Sequence, residues 1–212
     1  MRRSLTTNNL FDKRVGQTVT FQSHLFEQAI GEAEKKGIWL IYGPEKNGKT
    51  WFTLQLARDL AATEKVRYVS AEEGTDKSFR DACHRAGITR GDRIIFNEYI
   101  SIEELEEMIS KPKQPKIIFL DNLVVYGDEL KGLGLRQLSE RHPDKLFVCV
   151  GHEERKEPYP AAAKMAKKLA KVYIQIRGLK AFVVSRFAPQ GGEITINEDL
   201  SEMYWGTELD ND

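Results

Sequence analysis

Gly43-Pro44-Glu45-Lys46-Asn47-Gly48-Lys49-Thr50 has two glycines, a lysine and a threonine at the offsets G-x-x-x-x-G-K-[ST]. That spacing is suited to holding a polyphosphate. Glycines at 43 and 48 permit backbone angles and a close approach that a side chain would block. The N–H groups of the loop then surround the β-phosphate at the positive end of the following helix. Lys49 supplies a mobile cation to the β- and γ-phosphates, and the Thr50 hydroxyl reaches Mg²⁺. Trp51 follows at once and belongs to the same nucleotide contact. The alternative, a glycine-rich turn with a surface lysine, does not account for a strand before the motif and a helix after it.

Hydrolysis would need more: a carboxylate on the metal side, a group to orient water, and a sensor of the γ-phosphate. Asp121 ends the run "PKIIFLD" and would emerge beside the loop, able to hold Mg²⁺ through a water. A plain turn-capping role for Asp121 fits less well at the end of so apolar a strand. Glu72 and Glu73, in "VSAEEG", are both candidates for the water. Acids in the first turn of a helix also stabilise its dipole, so position alone leaves their role open. His152, after "LFVCVG", is a candidate sensor, although a lone histidine after a strand is more often an incidental loop residue.

These residues need a scaffold that brings strand ends together. "IWLIY" (38–42), "VRYVS" (66–70), "RIIFN" (93–97), "KIIFL" (116–120), "LFVCV" (146–150) and "VYIQI" (172–176) have strand length and β-branched or aromatic content. Their unbroken apolarity suits strands buried on both faces of a parallel sheet. Helical stretches lie between, at 49–62, 76–86, 102–110, 129–141 and 160–170. The repeating order predicts an α/β three-layer sandwich, a mostly parallel sheet with helices on both faces. "KAFVVSRF", "GGEITIN" and "EMYWG" predict a C-terminal antiparallel hairpin with no helix between its strands. The expected organisation is an N-terminal arm or strand over 1–20, one domain over 21–206, and an acidic tail over 207–212.

Composition narrows the classes further. The 212 residues include 32 basic and 32 acidic side chains, so any polyanion site must be a local patch. The two cysteines, Cys83 and Cys149, have no metal or redox spacing and suggest a reducing compartment, the cytoplasm. The N-terminal segment has no apolar run of a secretory signal, and nothing approaches the roughly 20 apolar residues of a membrane span.

Taken in order, the phosphate loop, "VSAEEG", "IIFLDNL", "CVGHEERKE" and "VVSRFAPQGG" resemble the RecA-like ATPase core. The likeness is closest to the RadA/Sms branch, with DnaB-type helicases and KaiC-type ATPases as cousins, and covers about residues 20–205. It implies Mg-dependent ATP hydrolysis, with Glu72 as the catalytic glutamate, Glu73 beside it, Asp121 at the metal and His152 as sensor. It also implies a homo-oligomeric ring or filament, in which Arg186 reaches a neighbour's γ-phosphate beside Lys49. The family lysine two residues earlier is here Val184, which leaves one cation where relatives have two. Without the flanking modules of its relatives, the chain is expected to be a bare motor core of phage- or plasmid-like kind.

In relatives the loops after the Asp121 and His152 strands hold single-stranded DNA. Here Arg155, Lys156, Lys164 and Lys168 could contact phosphates and Tyr159 could stack on a base. Lys164, Lys167, Lys168 and Lys171 equally have the spacing of one solvated helix face. Two functions follow: a DNA-dependent ATPase of recombination, repair or replication, or a KaiC-like, nucleotide-switched regulator or loader that binds protein. A small-molecule kinase is a weaker third.

Overall fold

The computed structural model describes residues 4–14 and 16–209. In chain order these form α1 (Thr7–Phe11), α2 (His24–Ile30), β1 (Gly37–Gly43), α3 (Lys49–Ala61), β2 (Val66–Ser70), α4 (Lys77–Arg85), β3 (Ile94–Asn97), α5 (Ile102–Ser110), β4 (Ile117–Asp121), α6 (Gly134–Arg141), β5 (Leu146–Glu154), β6 (Glu157–Tyr159), α7 (Ala161–Leu169), β7 (Val172–Arg177), β8 (Lys180–Ser185), β9 (Gly192–Thr195) and α8 (Glu198–Leu209).

The strands make one sheet in the order β3-β2-β4-β5-β1-β7-β8-β9, with β6 paired to β5. From β3 to β7 all neighbours on this path are parallel, and β8 and β9 continue antiparallel. Successive side chains of a strand point to opposite faces, and β1 divides accordingly. Trp39 and Ile41 join one apolar core, with Phe26 of α2, Phe52 and Leu56 of α3 and Phe79 of α4. Ile38, Leu40 and Tyr42 join the other, with Leu105 of α5, Leu138 of α6 and Ala163 of α7. The mostly parallel α/β architecture with helices on both faces and antiparallel strands near the C-terminus is therefore present. Among the described residues, no helix is long and apolar enough to cross a membrane.

Three local expectations need correction. The helix expected from residue 129 begins only at Gly134, because 123–133 form successive turns through Gly132 at φ +61°. "EMYWG" is not a strand but part of α8. Asn197 accepts the Leu200 N–H at 3.0 Å, and Glu198 and Asp199 occupy the first turn, where acids favour a helix. Within the expected tail, 207–209 continue that helix, while 210–212 lie outside the described residues. In the expected arm, α1 is followed by an isolated bridge from Thr18 to Glu34.

Candidate functional site

The phosphate-loop sequence turns from β1 into α3 at the carboxyl end of the sheet. At Gly43 an added Cβ would stand 2.1 Å from the Ile176 carbonyl oxygen, so nothing larger fits where β1 passes β7. Gly48 precedes α3 at φ +96°, and a Cβ there would stand 2.5 Å from Leu179 Cδ2. No side chain caps the N-terminus of α3, which leaves its first N–H groups open to an anion. Lys49 lies across the loop and donates to the Pro44 carbonyl at 2.6 Å. Burial pulls its ammonium below the usual lysine range, against the upward pull of Asp121, Glu45 and Glu72. Asn47 braces the turn: its amide donates to the Glu45 carbonyl at 2.8 Å and its Oδ1 accepts the Gly178 N–H at 2.8 Å.

The acids meet at the same rim because Ser70 of β2 and Asp121 of β4 are register partners. Tyr68 donates to the Asp121 carboxylate at 2.5 Å. Burial chiefly, and then the nearby charges of Glu73 and Glu72, push the Asp121 carboxyl up to about 7. The Thr50 hydroxyl donates to Glu73 at 3.4 Å. Glu72 accepts a hydrogen bond from the Asn122 side-chain amide, whose nitrogen also stands 3.1 Å from His152 Nε2. His152 lies 3.5 Å from the Glu72 carboxylate, and β5 sets it beside Gly43 in register. Asn122 is buried, and its Oδ1 accepts the Val124 N–H at 2.8 Å.

One cleft of about 1040 Å³ gathers these groups: Glu45 to Trp51, Glu72, Glu73, Asp121, Asn122 and His152 all line it. Sequence reasoning missed Asn122, the Gly178–Leu179 turn, Leu200 and Tyr204 of α8, and Ser78 and Arg85 of α4, which also line it. For Asn122 a signal existed, since it directly follows Asp121. For the others nothing local marks a distant residue as a wall.

Arg186 does not join the cleft. It follows β8 at the opposite rim, exposed, with its backbone N–H on the Lys171 carbonyl at 2.9 Å. The residues expected to meet DNA are split. Arg155 and Lys156 form the β5–β6 turn, at φ +53° and +65°. Arg155, Tyr159 and Lys164 border a small cavity of about 290 Å³ that Glu154 and Glu157 line as well. Lys168 is exposed on α7. Of its neighbours on that face, Lys167 pairs with Glu157 and stands over the Tyr42 ring, and Lys171 pairs with Glu34. The surface is one of mixed charge, not a basic groove. Among the described residues no cluster of three or more histidine, cysteine or acidic side chains has a metal-holding arrangement.

A parallel α/β sheet with this loop and rim has the design of an NTPase-derived domain. The family model for iSTAND, the inactive STAND domains, matches residues 13–131, more than half of the chain. The chain belongs to that family. No curated protein matches it. The match shows NTPase derivation and does not single out the RadA/Sms branch.

Membership of an inactive family overturns the expectation of an ATPase. The rim has features that accord with it. Glu72, the expected water-orienting base, is tied to Asn122 and faces His152. Burial holds the Asp121 carboxyl above the usual carboxylate range, and Glu73 accepts from the Thr50 hydroxyl. Lys49, Glu72, Glu73 and His152 all lie together on this one cleft.

Proposed function

We propose that this chain is a nucleotide-gated binding module. It takes up a nucleoside triphosphate, ATP with Mg²⁺, without turning it over, and presents its loaded state to a protein partner. The fit to a triphosphate is supported by the glycine-only approach at Gly43, the left-handed backbone at Gly48 and the uncapped start of α3. Lys49 would meet the terminal phosphates, and Thr50 with Asp121 would hold the ion.

One observation carries the gating: the Glu72–Asn122–His152 chain of contacts leads from the cleft directly into β5, whose end forms the hairpin with β6. A γ-phosphate in the cleft would repel Glu72 and draw on Asn122 or His152, which shifts the root of that hairpin. The hairpin displays Glu154, Arg155, Lys156 and Glu157. Such mixed charge favours a protein surface over a polyanion.

Titrating the chain with ATP and Mg²⁺, while following phosphate release and amide exchange over 152–160, tests this reading. Expected are saturable binding, phosphate release at the buffer rate, altered exchange in the hairpin, and no response of any of these to single-stranded DNA. Absent binding, turnover above background, or a DNA-stimulated response would overturn it.

A further inference from the structure

Beside Trp51 and the α4 residues Ser78, Ala82 and Arg85, three chemically different surfaces line the cleft. The loop wall carries Lys46, Lys49 and N–H groups, and a second, adjoining wall carries Glu72, Glu73 and Asp121. The third consists of Leu179 in the β7–β8 turn with Leu200 and Tyr204 of α8. It adjoins the phosphate loop directly. Leu179 Cδ2 limits Gly48, the Leu179 N–H donates to the Asn47 carbonyl at 3.3 Å, and the Gly178 N–H donates to the Asn47 side chain. The turn in turn carries α8. Trp205 Nε1 donates to the Gly178 carbonyl at 3.2 Å, and Tyr204 packs so closely that a Cβ on Gly178 would stand 2.3 Å from its ring.

We infer that this third wall is a nucleobase subsite, with the flat base of the bound nucleotide resting on Tyr204, Leu179 and Leu200. The inference rests on the nucleotide reading above and adds what recognises the part of the ligand that carries no charge. A neutral planar ring gains most from aromatic and aliphatic surface, and an acid-lined wall offers it none. Leu200 is 47% exposed although it lines the cleft, so apolar surface stands open beside the phosphate loop. α8 reaches this place only because Gly178, at φ +53° and lacking a side chain, lets Tyr204 down onto the turn.

Inorganic tripolyphosphate separates the two readings, because it has the charges of the nucleotide and no base. In the native chain ATP should bind about tenfold tighter than tripolyphosphate, as expected for stacking on one aromatic ring. Tyr204→Ala should weaken ATP by about that factor and leave tripolyphosphate within twofold, whereas Tyr204→Phe should keep the native preference. Should Tyr204→Ala melt α8 by circular dichroism, Leu200→Ala carries the same test with a loss of about threefold. Equal binding of ATP and tripolyphosphate in the native chain would overturn the subsite, as would equal losses of both in Tyr204→Ala. Failure of both ligands to bind the native chain would overturn the nucleotide reading itself.

Discussion

The loop wall and the α8 wall of the cleft are made in opposite ways. Gly43 to Thr50 builds its wall from eight consecutive residues, of which Gly43, Gly48, Lys49 and Thr50 have the types and offsets of a phosphate loop. The α8 wall is assembled across the chain: Asn47 and Gly178, joined by one hydrogen bond, are 131 positions apart. A motif of contiguous residues carries its chemistry in its spacing. A wall built by tertiary closure depends on whether a turn, a glycine and a helix happen to meet. The first wall should therefore fail through loss of charge, and the second through loss of shape.

Lys49→Ala should give the largest effect. A lysine that donates charge-assisted hydrogen bonds to two phosphates is worth about 3 kcal/mol, so ATP and tripolyphosphate should both weaken about 100-fold in a calorimetric titration. The fold should hold, because the Lys49 ammonium makes its hydrogen bond to the loop's own Pro44 carbonyl and caps no distant element. A selective loss of ATP alone would mean that the charge acts through the base wall, and the contrast between the walls would disappear.

Gly178→Ala should come next, and mainly in stability. The new Cβ would sit 2.3 Å from Tyr204 and 3.0 Å from Trp205 Nε1, on a backbone held at φ +53°. Backbone strain alone costs about 1–3 kcal/mol, and a domain of this size loses about 2–4 °C in Tm per kcal/mol. A thermal melt should show that drop, with ATP weakened more than tripolyphosphate. An unchanged melt would mean that α8 rests on the turn without depending on it.

The same contrast explains what could be read from sequence. Ser70 and Asp121 end their strands, and His152 follows the apolar run of β5, because a continuous apolar run ends at the sheet rim. Glu72 and Glu73 follow from that, but their partners do not. Whether Glu72 is free to orient a water or is held by Asn122 depends on a contact across 50 positions. "EMYWG" was misleading for a related reason: three aromatic or sulfur-bearing side chains in a row suit a strand edge. The Asn197 cap three residues before Leu200 settles it as a helix. Charge spacing likewise suggested one basic face on α7, whereas Lys167 and Lys171 are drawn to Glu157 and Glu34, residues no helical period could identify.

Arg186→Ala should have the smallest effect. Arg186 follows Ser185, which pairs with Val172, and Val172 pairs with Trp39 near the start of β1. The phosphate loop leaves β1 only after Gly43, roughly 13 Å further along the strand at the usual rise per residue. The guanidinium therefore starts from the wrong rim to complete either wall within its own chain. ATP affinity should stay within twofold of native at protein concentrations low enough to keep the chain monomeric. If affinity instead fell, and fell more steeply as the protein was concentrated, a second copy would be contributing Arg186 from outside. The cleft would then have a fourth wall, and neither the contiguous loop nor the closure around Gly178 would be sufficient to build it.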